Sequence, residues 1–208
     1  MNFQKAARPL VMGRNGMVSS GHYLASLAGV KVMQEGGNAI DAALAAAFVM
    51  TVVKPETCGP GGDLFALIYT RQDGKVVAIN ASGPAPANAT IDYFHANKLG
   101  SIPVSGPLSV AIPGAVDGWL ELHKRYGTKD LRRLTRDAVD LAREGFAVHQ
   151  ELIEKIEELS PEFPWIDRLY RKPLNGLRAG KVLYQRGLGD VLERIAVKGR
   201  DGFYDGEI

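Results

Sequence analysis

Gln34-Glu35-Gly36-Gly37-Asn38-Ala39-Ile40-Asp41-Ala42-Ala43 opens an alanine-rich run that ends at Val53. Asn38 reads as a helix N-cap, with Asp41 at the third helical position. An acid there accepts orphan N–H groups and suits the positive helix end. The helix predicted over Ala39–Val53 is apolar nearly all round, so protein should cover it on several sides. Its apolar run, Ala42 to Val53, falls short of the roughly 20 residues that span a bilayer.

Before this stretch, apolar residues at Leu24, Leu27, Ala28, Val32 and Met33 predict a helix over Tyr23–Glu35, capped by Ser19 or Ser20. Gly36-Gly37 ends it, since glycine accepts the left-handed helix stop. After it, Pro55 to Gly62 reads as a loop. Leu64–Tyr69 and Lys75–Asn80 flank the turn signal Gln72-Asp73-Gly74 and predict a β-hairpin. Both strands show little alternation, so the hairpin is expected inside a layered structure. Asp92–Leu99 reads as a short helix and Ser109–Ile112 as a short strand. Helices follow over Ala115–Tyr126, Leu131–Glu144, Gln150–Leu159 and Gly187–Lys198. Arg132, Arg133, Arg136 and Arg143 mark a solvated face, and Trp119 reads as a packing residue. Trp165 lies in a proline-bounded loop, where its position suggests a cover for a substrate entrance.

Composition excludes several classes. Of 208 residues, 46% are hydrophobic and 23% charged, which argues against a disordered tail. Twenty-five basic and 23 acidic residues leave a net charge of +2, with no basic cluster of the kind nucleic acid demands. Met1 to Pro9 contains no apolar leader, and a soluble cytoplasmic protein without a membrane partner is expected. One cysteine, Cys58, excludes a disulfide framework and reads as a small buried hydrophobe. His22, His95, His123 and His149 have no zinc-type spacing and read as surface residues; no metal or cofactor is expected. There is no Gly-x-Ser-x-Gly elbow. Cys58-Gly59-Pro60-Gly61-Gly62-Asp63 lacks the Lys-Ser/Thr end of a P-loop and precedes a strand rather than a helix. It reads as a structural turn or as a lining loop that lets backbone approach a ligand.

Six ordered motifs carry more. They are Met17-Val18-Ser19-Ser20-Gly21-His22, Glu35-Gly36-Gly37-Asn38-Ala39, Gly59-Pro60-Gly61-Gly62-Asp63-Leu64-Phe65, Ser109-Val110-Ala111-Ile112-Pro113-Gly114, Arg143-Glu144-Gly145-Phe146 and Asp201-Gly202-Phe203-Tyr204-Asp205-Gly206. In this order and spacing the chain resembles the N-terminal part of the γ-glutamyltranspeptidase family, from about Gly16 onward. The resemblance implies an α+β chain, part of a four-layer αββα sandwich of an N-terminal-nucleophile (Ntn) hydrolase. It assigns residues 1–114 to the layered part and 115–208 to a mainly helical region of the large subunit. Such proenzymes cut themselves, and the new N-terminal threonine of the small subunit attacks an amide carbonyl with its own amine as base. None of Thr51, Thr57, Thr70, Thr90, Thr128 and Thr135 stands in the family's Thr-Thr-His-x-Ser-like string, so the nucleophile is expected outside these residues. The small subunit would then be the partner that covers one face of the hairpin.

The family's γ-glutamyl enzymes carry an arginine after the second strand that clamps the substrate α-carboxylate. Here the string is Asn80-Ala81-Ser82-Gly83-Pro84-Ala85-Pro86, and Ser82 falls at that position. A serine supplies no charged fork. The resemblance therefore leans toward the amidase and acylase branch, acting on a small amide, with Ser82 and Gly83 lining the acyl pocket. Two alternatives stay open: a true glutathione hydrolase with Arg71 as the replacement cation, and a non-catalytic ligand-binding module built on the glycine loops.

Overall fold

Asn38 caps helix α2 (Ala39–Val53): its Oδ1 accepts from the Ile40 N–H at 2.8 Å and the Asp41 N–H at 2.9 Å. Asp41 Oδ2 accepts in return from the Asn38 N–H at 2.9 Å, closing a capping box. The computed structural model that shows this describes residues 10–205. The reading of Met1 to Pro9, and Gly206 of the last motif, lie outside the described residues.

Asp41 does more than cap. It is fully buried and also accepts from the Thr128 hydroxyl, the Thr128 N–H (2.9 Å) and the Lys129 N–H (3.2 Å). Burial pushes its carboxyl upward, but these bonds outweigh that and hold it below the usual carboxylate value. The N-terminus of α2 is thereby tied to the linker between α4 (Ala115–Tyr126) and α5 (Leu131–Glu144).

Helix α1 (Tyr23–Gln34) stops at Gly36, whose φ of +82° suits glycine. Its cap is neither Ser19 nor Ser20. His22 Nδ1 accepts from the Leu24 N–H at 3.2 Å, while Ser20 donates to the His22 carbonyl at 2.8 Å. A ring nitrogen two residues nearer the helix than Ser20 takes the place of the hydroxyl. As the apolar pattern of α2 requires, α1, α4 and α5 cover it on three sides. Phe48 of α2 meets Trp119 of α4 with ring centroids 5.0 Å apart, and both are buried.

The α+β class is as expected: helices carry one small hairpin, β1 (Leu64–Thr70) paired antiparallel with β2 (Lys75–Ala81). No ladder forms over Ser109–Ile112. The chain there makes a 3-10 turn at Pro107–Ser109, and then the Ile112 N–H donates to Pro84 O at 2.9 Å. Helix α3 occupies Ile91–Ala96; α6 (Gln150–Leu159), α7 (Arg186–Lys198) and α8 (Asp201–Tyr204) complete the helices among the described residues. Two-residue strands β3 (Phe146–Ala147) and β4 (Val182–Leu183) pair with each other, and Asp167–Arg171 forms a π-helical turn.

Two of the four arginines read as solvated are engaged. Arg133 grips the Glu35 carboxylate with two nitrogens, at 2.5 and 2.7 Å, fastening α5 to the end of α1. Arg143 bridges to Asp190 and Glu193 on α7. Helical periodicity places these arginines beside the buried stripe, but it does not reveal which acids face them.

Candidate active-site face

The hairpin register sets the geometry. Leu64, Ala66, Ile68, Val77, Ile79 and Ala81 alternate inward toward the helices. Gly118 of α4 lets this sheet approach closely: a Cβ there would lie 2.7 Å from Ala81 Cβ and 3.0 Å from Leu64 Cδ2. The opposite face is bare. Phe65 is 65% exposed, Leu67 80%, Tyr69 65% and Val76 66%. The helices supply the layer on one side of the hairpin, and no described residue supplies a layer on the other. Apolar residues occupy outward positions as well as inward ones, which hides the alternation in the sequence. Bareness of one face is what the family resemblance implied.

At the open end of the hairpin three glycine segments converge. The Gly62 carbonyl accepts from the Gly114 and Ala115 N–H groups, both at 3.0 Å, anchoring the start of α4. Asn80 Oδ1 accepts from the Ser82 N–H at 3.0 Å and turns the chain out of β2. Gly83 follows with φ +76°, and a Cβ on it would lie 1.8 Å from the Ile112 carbonyl oxygen. Gly83 is thus a packing glycine as well as a wall. With Asn80, Gly114, Asp117, Arg200 and Tyr204 it borders an open groove of about 400 Å³. Ser82 is half-buried beside it.

Arg71 does not reach this end. It lies in the β-turn, seven register pairs from Ala81, or about 20 Å at ~3.3 Å per residue. The basic residue on the groove is Arg200, which sequence reasoning missed. Its Nε donates to Asp117 at 3.1 Å and its guanidinium lies 4.6 Å from the Tyr204 ring centroid. Tyr204, in the Phe203-Tyr204 motif, donates to the Pro113 carbonyl at 2.7 Å and so holds α8 against the same junction.

The other candidates lie elsewhere. Cys58 is half-buried rather than buried, in a depression with Tyr170 and Tyr184. His22 is buried and His149 is half-buried, neither as exposed as expected. Their rings are 5.2 Å apart, and each caps a helix through Nδ1, on α1 and α6 respectively. Burial first, then His149 and Lys54, keeps His22 below its ordinary pKa. No group of three or more His, Cys, Asp or Glu among the described residues is placed to hold a metal ion. No helix among them is long and apolar enough to cross a membrane. Trp165 borders a cavity beside α6, not the groove at Gly83.

Residues 25–208 match the family Gamma-glutamyltranspeptidase. The chain belongs to the γ-glutamyltranspeptidase family. Among its relatives is the glutathione hydrolase-like YwrD proenzyme of Bacillus subtilis, 36% identical over 202 residues, which cover 95% of this chain and 38% of that protein. Another is the acylase ACY 1 proenzyme of a Pseudomonas strain, 34% identical over 94% of this chain and 37% of its own length. The γ-glutamyltranspeptidase crystal structure from Helicobacter pylori superposes with a TM-score of 0.87 at 34% identity, covering 96% of this chain and 59% of that one. The chain spans a little over a third of the length of these two curated relatives.

Proposed function

We propose that these residues form the N-terminal part of the large subunit of a self-processing amide hydrolase or acyltransferase. The observation that carries this reading is the bare apolar face of the hairpin, which ends at the junction of Gly62, Gly83 and Gly114 in a chain of this family. Leaving four large apolar side chains in water is unfavourable, by roughly 1.5–3 kcal/mol for each side chain that could be fully buried. The small subunit, carrying the nucleophilic threonine, covers that face. Its hydroxyl oxygen attacks the amide carbonyl, its α-amine takes the proton and passes it to the leaving amine, and water then releases the acyl group.

In this reading Ser82 and Gly83 line the acyl pocket. Ser82 offers a neutral hydroxyl where a γ-glutamyl enzyme presents a guanidinium, so the acyl group is a small one without a demand for a charged clamp. A charge-assisted contact contributes about 1.5–3 kcal/mol, and its loss selects against a free α-carboxylate. The test is the whole processed protein assayed on γ-glutamyl-p-nitroanilide beside a panel of small acyl p-nitroanilides. A neutral acyl group is expected to be preferred, and Ser82→Arg to shift kcat/KM toward the γ-glutamyl substrate by about tenfold or more. Robust γ-glutamyl turnover with low KM by the unaltered protein would overturn the substrate assignment. It would favour a second reading, a glutathione hydrolase in which Arg200 supplies the cation. The position of Arg200 on the groove at Gly83 and the glutathione hydrolase proenzymes among the relatives support that reading.

A further inference from the structure

Glu56 follows the last turn of α2 and its side chain is only 4% exposed. Neither carboxylate oxygen has a hydrogen-bond donor among the described residues. Its nearest cation is Lys54, 3.3 Å away, and that ammonium is shared with Glu151 at 2.7 Å. Glu151 first, working against burial, and then Glu56 keep the Lys54 pKa above its ordinary value. Lys54 thus faces two carboxylates, of which Glu151 is 63% exposed to water and Glu56 is not, so Glu56 depends on a long contact with a shared ammonium. Buried carboxylates without donors are costly and uncommon, and a partner is the usual resolution.

Glu56 borders a cavity of about 190 Å³ whose other walls are mainly apolar and aromatic, among them Leu159, Phe163, Trp165 and Tyr170. That volume equals roughly six waters at about 30 Å³ each, yet water needs two to four polar partners, and these walls provide few. Lys155 on the rim is already paired with Glu158. The cavity shares no residue with the groove at Gly83.

We propose that this cavity is a binding site for a small organic cation, a primary ammonium on a compact aromatic or alkyl body. The ammonium donates the hydrogen bonds that the Glu56 carboxylate oxygens lack. The body lies against Trp165 and Phe163, whose ring faces attract a cation's flank. Trp165, placed at a substrate entrance by its sequence position, becomes one wall of this site.

Calorimetric titration of the whole protein with benzylammonium tests the assignment, with benzyl alcohol as a neutral shape match. Saturable binding is expected for benzylammonium, and at least about tenfold weaker binding for the alcohol. Glu56→Gln should weaken benzylammonium binding by at least the same factor. Trp165→Ala, at a half-exposed position that tolerates truncation, should weaken both ligands and serves if the Glu56 variant does not fold. Absence of saturable heat, equal affinity for the alcohol, or binding indifferent to both substitutions would overturn the proposal.

Discussion

Asp41→Ala is expected to lower the unfolding free energy by about 3–5 kcal/mol, the range for removing one partner of a buried charged network. Four donors converge on that carboxylate: the Asn38, Thr128 and Lys129 N–H groups and the Thr128 hydroxyl. Alanine strands them where water does not reach, and each unsatisfied group costs about 1–3 kcal/mol. Asp41→Asn keeps the shape and one acceptor oxygen, so its loss should be smaller. The pH dependence has a definite sign. The folded carboxyl titrates below its ordinary value, so its contribution is complete above about pH 4 and is lost as pH falls through the folded value. Urea denaturation of the whole protein at pH 7 and pH 3 checks both points: the difference between Asp41 and its asparagine variant should shrink in acid.

Gly83→Ala is expected to be nearly as damaging and to abolish activity. The new Cβ would stand 1.8 Å from the Ile112 oxygen and 3.0 Å from its carbonyl carbon, both backbone atoms. A positive φ at a non-glycine residue adds about 1–2 kcal/mol. Relief requires moving the 112–114 segment, which carries the start of α4 and its bonds to Gly62. A loss of about 3 kcal/mol or more follows by the size of overpacking penalties. Gly59→Ala and Gly61→Ala are the controls. A Cβ at either meets nothing within 4 Å and neither has positive φ, so both should stay within about 0.5 kcal/mol. Melting temperature together with amidase activity separates the three variants.

The contrast among these glycines shows what the sequence could and could not reveal. Its glycine-rich string looks uniform, yet only Gly62 has its carbonyl tied to α4, and the critical contact of Gly83 is with chain 29 positions away, at Ile112. That convergence depends on hairpin register and on where α4 begins. Long helices were legible, α4, α5 and α6 through a repeating apolar period and α2 through its Asn38 cap and continuous apolar run, and all four occupy the ranges predicted. Two-residue strands, a π-helical turn and a four-residue helix hold no full period and left no signal. The histidine caps were hidden for another reason. His22 and His149 are remote in sequence and meet only because α1 and α6 begin side by side next to Lys54. Ser82 stood out through the family string alone, whereas Arg200 and Glu56 emerged only from the packing around the groove and the cavity.

The central claim is that this chain belongs to a large subunit whose chemistry arrives with a second, self-released subunit. Intact mass and N-terminal sequencing of the protein purified from its whole gene test this directly. The account predicts two fragments, the larger containing these residues and the smaller beginning with threonine. A single uncleaved species that hydrolyses amides at full rate would contradict it.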